Sequence, residues 1–264
     1  MKISYLGPEN SYSYLVAKRV KSSQDTIVQF STFFDVALAV GKTTDKAILP
    51  IENSLEGAVS NTLDILAWEC DLFITKEIFL EINHKLIMRK TGDFSNIKRI
   101  ITHAQAYGQC RSFLTKNYPD AEIIYTSSTS KAVESIDDDY TAAIAGEHNL
   151  NPNLKAFPDL IQNDTYNVTR FVVLEKEPIN NTTNQKISVI FDAENKPGGL
   201  LKILHILQDH NLNMTKIESR PFKGHFGSYI FFVDFLGNVN NANVQSAFEK
   251  IKQLTSFFKY LGNY

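Results

Sequence analysis

KAILPIENSLEGAVSNTLDILA, residues 46–67, holds the pattern that decides the fold. It opens on a compact apolar run through Ala47, Ile48 and Leu49, the composition of a strand buried on both faces. A polar triplet, Glu52, Asn53 and Ser54, follows, and AVSNTLDILA then carries helical spacing. Polar groups gathered at the end of a buried strand lie where open α/β sheets bind their ligands. The same triplet reads equally as a loop in which Asn53 or Ser54 caps the next helix.

The pattern repeats on either side. KISYL, TIVQF, RIITH, EIIYT and TAAIA are short runs rich in Ile, Val and Ala, and YLVAKRV, FDVALAV and AYGQCRSFL are the helical stretches among them. Strand and helix in alternation predict an α/β architecture with mainly parallel sheets. LFITKEIFLEINHKLIM, from Leu72 to Met88, alternates over a strand-like length and is expected to carry the chain from one sheet into another.

A composition shift follows at KEPINNTTNQ, residues 176–185, which has almost nothing to bury and reads as a linker. Beyond it the pattern is β-α-β-β-α-β: KISVIF, a helix from about Pro197 to His210, NMTKIESRP, GSYIFFVDF, a helix from about Ala242 to Leu254, and SFFKYLG. Leu200, Ile203, Leu204 and Leu207 share one face of the first helix. This is the signature of a ferredoxin-like sandwich able to fold alone.

Of the 264 residues, 43% are hydrophobic and 21% charged, with a formal net charge of -2, which argues against a nucleic-acid binder. No run approaches the roughly 20 apolar residues of a membrane span, and MKISYLGPEN reads as a first strand, so the expected compartment is the cytoplasm. Cys70 and Cys110 are too few for a disulfide framework and lack the neighbouring histidines of a zinc site, so no metal is expected.

Four further stretches place polar groups at strand ends. YLGPENSYS puts Ser11 and Ser13 where a helix begins, as caps or as partners of a carboxylate drawn by the helix dipole. ITHAQAYGQC presents His103 and Gln105, and SSTS presents Ser127 to Ser130. NDTYNVTRFVVLE brings Asn167, Thr169 and Arg170 just ahead of an apolar strand, on which Thr169 and Phe171 share a face and Arg170 lies opposite. No Ser-His-Asp arrangement, phosphate loop or G-x-G-x-x-G motif is present, which points to chemistry without a strong nucleophile or a bound cofactor.

In order and spacing these segments resemble prephenate dehydratase. YLGPENSYS is similar to the family's YLGP-E-G-T-F-S, with Asn10 for glycine and Ser11 for threonine. PIENSLEGAV, HAQAYGQCR, SSTS and NVTRF resemble its P-[IV]-E-N-S, H-P-Q-x-x-x-Q-C, S-S-T-A and N-x-T-R-F segments, and PGGLLKIL and KIESRP resemble the signatures of a phenylalanine-binding ACT domain. The resemblance implies conversion of prephenate to phenylpyruvate with loss of CO2 and water, without cofactor and under control by phenylalanine. It implies a two-lobed, periplasmic-binding-protein-like catalytic domain over residues 1–177, with lobes of about 1–80 plus 155–177 and 81–154, a linker at 178–185 and a ferredoxin-like ACT domain at 186–264. Thr169 would donate to the departing hydroxyl. Ser11, Glu52, Asn53, Gln105, Ser127, Thr129 and Arg170 would contact or orient the substrate. Gly198, Gly199, Leu200, Glu218, Ser219, Arg220 and Pro221 would hold phenylalanine between two copies, in a homodimer or homotetramer. Gly199 stands where the family often has alanine. Two other readings are arogenate dehydratase and a non-catalytic amino-acid sensor.

Overall fold

The computed structural model describes all residues except 180–182 and 184. The expected linker at 178–185 therefore lies partly outside the described residues.

The first lobe runs β1 (Lys2–Leu6), α1 (Tyr12–Val20), β2 (Thr26–Phe30), α2 (Phe33–Leu38), β3 (Lys46–Asn53), β4 (Gly57–Ala58), α3 (Ser60–Trp68) and β5 (Phe73–Glu81). The second runs β6 (Lys85–Arg89), β7 (Arg99–Thr102), α4 (Ala104–Asn117), β8 (Glu122–Tyr125), α5 (Thr129–Glu134), β9 (Thr141–Ala145) and β10 (Leu154–Ala156). The chain then returns as β11 (Val168–Glu175), which enters the first sheet between β3 and β5.

The strand orders are β2-β1-β3-β11-β5 and β10-β6-β9-β7-β8. Both sheets are mixed, which corrects the expectation of mainly parallel pairing. β1, β2 and β3 are parallel, but β11 is antiparallel to both its neighbours. β7, β8 and β9 are parallel, β6 runs against them, and the edge strand β10 is antiparallel to β6. The antiparallel strands are those reached by a crossing between lobes or by a return along the sheet edge, where no βαβ crossover dictates direction.

Burial explains the strands. Ala47, Ile48 and Leu49 are all fully buried because β3 is covered on both faces. The stretch Leu72–Met88 resolves into β5 and β6, with the crossing at 82–84. The expected lobe boundary at 154/155 falls inside β10, and Ile161 packs in the core of the second lobe. The return crossing thus lies nearer β11 than the boundary implied by the resemblance.

The C-terminal unit is β12 (Lys186–Asp192), α6 (Gly199–Asp209), β13 (Met214–Pro221), β14 (Tyr229–Leu236), α7 (Ala242–Leu254) and β15 (Phe258–Asn263), in sheet order β13-β14-β12-β15. One face of this sheet, with Val189, Phe191, Val233 and Phe235, buries α6 and α7. The other face is not free. Ile190, Ile230, Phe232 and Leu261 share a core with Leu72, Ile74, Val172 and Leu174 of the first lobe. Trp68 of α3 stacks on Phe222 at 5.4 Å between ring centroids. Among the described residues no helix is long and apolar enough to cross a membrane.

Candidate active site

A cavity of about 550 Å³ opens where the two lobes meet. Four helices begin at its wall: Ser11 and Tyr12 belong to the start of α1, Val59 and Asn61 to α3, His103 and Gln105 to α4, and Ser128 and Thr129 to α5. Two come from each lobe. Ser11 caps α1 by accepting from Tyr14 N–H, His103 caps α4 through Gln105 N–H, and Ser128 caps α5 through Lys131 N–H. No described residue lining the cavity is Lys or Arg. Attraction for an anion rests on amide groups and helix dipoles, each suited to a carboxylate. Leu6, Phe33, Pro50, Ile82 and Phe171 supply an apolar wall between them.

Thr169 and Asn53 face each other across β11 and β3. Asn53 Nδ2 donates to Thr169 Oγ1 at 3.0 Å and to Asn167 Oδ1 at 2.8 Å. Its Oδ1 accepts from the backbone N–H groups of Leu55 and Glu56 at 2.9 and 3.2 Å, which fixes the amide orientation. Thr169 is an acceptor in the Asn53 bond, so its own proton remains available. Thr169 is 9% exposed and lines the cavity.

Behind this pair a chain of amides spans the lobes. Asn167 Nδ2 donates to Gln109 Oε1 at 2.9 Å, and Gln109 Nε2 donates to Glu56 at 2.9 Å. His84 Nε2 also meets Gln109 Oε1, at 2.9 Å. An amide oxygen only accepts, so His84 carries its proton on Nε2. Burial, against a smaller opposing effect of the Gln109 bond, holds His84 below the ordinary histidine pKa, and its Nδ1 is buried without a partner. A second tie joins the lobes at Asn10, whose carbonyl meets Ser130 Oγ at 2.8 Å and His148 Nε2 at 3.0 Å. Asn10 has φ 61°, a left-handed conformation that asparagine adopts more readily than most residues, which accounts for its standing where the family uses glycine.

Of the substrate-facing residues expected from sequence, Ser11, Asn53, Gln105, Ser127, Thr129 and Thr169 all line this cavity. Glu52 and Arg170 do not. Their side chains turn to the opposite face, where Lys216 and Asp234 of the C-terminal unit engage them. The expected pairing of Arg170 with a substrate carboxylate is therefore corrected: β11 alternation carries it away from Thr169, and protein carboxylates already surround it. Sequence reading passed over His84, Gln109 and Asn61 as site residues. Gln109 had a signal, since it lies four residues beyond Gln105 and so on the same face of α4.

The residues expected to hold phenylalanine fall at two places. Gly198 has φ 80° and caps α6, and Gly199 is the first helical residue, two positions later than the expected start. A Cβ on Gly199 would lie 2.0 Å from the Glu194 carbonyl oxygen, so the tightness of the preceding loop explains glycine there. Leu200 packs at the edge of the core beneath α6 and α7. Glu218, Ser219, Arg220 and Pro221 lie on β13, an outer strand. Arg220 does not pair with Glu218. It forms a two-pronged contact with Asp64 at 3.0 and 2.7 Å and donates to Ser60 Oγ at 3.2 Å, both on α3.

A family model described as prephenate dehydratase matches residues 3–179, and one described as the ACT domain matches residues 187–253. The chain belongs to the prephenate dehydratase family and carries a C-terminal ACT domain. A bifunctional chorismate mutase/prephenate dehydratase of Aquifex aeolicus is 35% identical over 267 residues, covering 100% of this chain and 73% of that protein. The structure of a prephenate dehydratase from Arthrobacter aurescens in complex with L-Phe superimposes with a TM-score of 0.90 at 29% identity, covering 100% of this chain and 89% of that one. That of Staphylococcus aureus gives 0.84 at 28% identity, with 100% of both chains covered. The two-lobed catalytic fold and the ferredoxin-like regulatory unit expected from sequence are the fold of this protein.

Proposed function

We infer that this chain is a prephenate dehydratase, converting prephenate to phenylpyruvate under control by phenylalanine. The observation that carries the reading is the free proton of the Thr169 hydroxyl, held at the wall of a cavity into which four helix N-termini open. Prephenate has two carboxylates, which the helix starts of opposite lobes accommodate. The ring lies against Phe171, Ile82 and Pro50. The bond from the ring to its carboxyl group breaks, its electron pair enters the ring, and the C–O bond at the far ring carbon breaks with its pair leaving on oxygen. Thr169 donates a hydrogen bond toward that oxygen and relays to it a proton taken up from water, so that it departs as water while the threonine hydroxyl is restored. Formation of the aromatic ring supplies the driving force, and assistance by a positioned donor contributes roughly 10²–10⁴-fold.

Ser11, Asn53, Gln105, Ser127 and Thr129 are assigned to substrate contacts on the strength of their place in the cavity wall. Phenylalanine is assigned to the PGGLL turn of one copy and the ESRP strand of another. The outer edge of β13 and the exposed Ile217 and Tyr229 support a homodimer or homotetramer in which that strand finds a second neighbour. Two free cysteines fit action in the cytoplasm, where thiols stay reduced.

The test is phenylpyruvate formation from prephenate by purified protein with and without phenylalanine, with arogenate run in parallel. Turnover of prephenate suppressed by phenylalanine supports both halves of the reading. Turnover only on arogenate replaces the substrate, and none on either leaves a sensor.

A further inference from the structure

On the face of β3 and β11 away from the cavity lies a set of charges that the reaction does not use, with Arg170 and Asp234 buried at its centre and Glu52, Glu77, Lys186 and Lys216 half-buried around them. The register that pairs Thr169 with Asn53 also pairs Arg170 with Glu52. Thr169 and Asn53 look into the cavity, while Arg170 and Glu52 look into the ACT domain. Arg170, with its side chain 6% exposed, lies 2.6 Å from Asp234 of β14 and 3.5 Å from Glu52 through Nη1. Its Nη2 donates to the Tyr264 hydroxyl at 2.6 Å. Nε lies 2.8 Å from Glu77 Oε2 but its N–H is directed off that oxygen, so this contact is an ion pair without a hydrogen bond.

The ACT domain closes the cluster. Lys186 engages both oxygens of Glu77 at 2.6 and 2.8 Å, and Lys216 of β13 reaches Glu52 at 2.8 Å. Ser188 Oγ gives its proton to Asp234 Oδ1 at 2.5 Å, so Tyr264 is the donor in its 2.6 Å contact with Ser188. Arg170, Lys186 and Lys216 balance Glu52, Glu77 and Asp234. Arg170 and Asp234, withdrawn from water, are tolerated only while each keeps its partners, so the centre of the cluster is held to one arrangement. A second clip runs parallel to it: Arg220, also on β13, grips Asp64 and Ser60 of α3, whose Asn61 lines the cavity.

We propose that this charge cluster is the link through which the ACT domain positions Thr169 and Asn53. Arg170 and Asp234 are positioning residues. Lys216, on the strand that carries Glu218 to Pro221, passes a displacement of that strand to Glu52 and so to Asn53. The proposal rests on the reading of Thr169 as the donor to the leaving oxygen. An effector that shifts β13 then alters the site only to the extent that it binds the two arrangements unequally.

The test compares full-length Asp234→Asn and Lys216→Met with wild type and Thr169→Ala for kcat, KM and phenylalanine inhibition, after thermal melts establish the folded fraction. Asp234→Asn is expected to lower kcat about tenfold while KM stays within about twofold. Lys216→Met is expected to keep kcat within about threefold and to raise the phenylalanine needed for half-inhibition about fivefold or more, the low end of measured couplings. Should Asp234→Asn not fold, Lys216→Met decides. Folded variants with wild-type kcat and wild-type response to phenylalanine, beside an inactive Thr169→Ala, overturn the link and leave the site reading in place. A fully active Thr169→Ala removes the site reading and the link with it.

Discussion

Asn53 Nδ2 lies 3.0 Å from Thr169 Oγ1, and two backbone N–H groups on Asn53 Oδ1 leave the amide only one orientation. The threonine hydroxyl is thereby an acceptor toward the protein and a donor toward the cavity. Thr169→Ala is expected to lower kcat at least about a hundredfold in a folded protein, within the range for a lost acid–base partner. Thr169→Ser should keep more of it, since it retains the hydroxyl. Single-turnover measurement of phenylpyruvate checks both, and near-wild-type turnover by a folded Thr169→Ala removes Thr169 from the mechanism.

Asn53→Asp tests the orientation itself. A carboxylate cannot donate to Thr169, so it would draw the hydroxyl proton onto itself and away from the cavity. Its oxygens would also find no donor in the Asn167 carbonyl oxygen that Asn53 now serves. A fall in kcat of roughly tenfold or more is expected, with Asn53→Gln no better because its amide cannot keep both contacts. Equal turnover in Asn53→Asp and wild type would show that the proton is not directed by this bond.

Low pH should weaken the fold through His84. Burial lowers its pKa in the folded protein below that of the unfolded chain, so the unfolded state binds the extra proton first. Any stability at stake is intact above about pH 6.5, the ordinary histidine value, and is lost as pH falls through the folded-state pKa. A proton on Nδ1 would also be buried without an acceptor. His148 shifts in the same direction, again chiefly by burial. Urea midpoints between pH 7.5 and pH 5 should decline on that side, and the decline should shrink in His84→Gln.

The shared core predicts that the ACT domain and the first lobe unfold together. Phe232, 3% exposed, packs with Ile74 and Val172 across the domain boundary. Phe232→Ala should cost about 3–5 kcal/mol. In calorimetry the transition that moves should include the first lobe; a shift confined to a separate ACT transition would show the two to be independent.

Gly199→Ala would press a methyl group onto the Glu194 carbonyl, 2.0 Å from the ideal Cβ position, so the loop before α6 must move. The expected loss is about 1–3 kcal/mol of stability, with a weakened response to phenylalanine and basal turnover retained. Inhibition curves beside thermal melts separate the two effects.

Much of this was legible in the chain before any coordinates. KISYL, TIVQF and TAAIA coincide with β1, β2 and β9 because apolar composition and strand length both mark them. The alternation of NVTRF placed Thr169 and Phe171 on one face and Arg170 on the other, as found. What could not be read was the occupant of that other face. Arg170 meets Asp234, 64 positions away, and no local pattern announces such a partner. The same holds for Arg220, which lies beside Glu218 on the strand yet answers to Asp64 on a helix 156 positions earlier. Gln109 escaped for a related reason: its bond with Asn167 joins segments 58 positions apart, and glutamine is common on helix surfaces.

The cavity that gathers four helix starts without a lysine or arginine among its described walls has a consequence for drift. Its attraction for anions resides in peptide groups that every residue but proline supplies. Replacements along these segments can therefore accumulate while the cradle persists, provided each helix still begins where it does. Asn10 and Ser11 show two such changes of letter at one rim, the first holding its left-handed backbone and the second still capping α1. Binding of the double anion is, in this sense, inherited with the architecture, and it leaves the side chains free to diverge in what they do to the bound molecule.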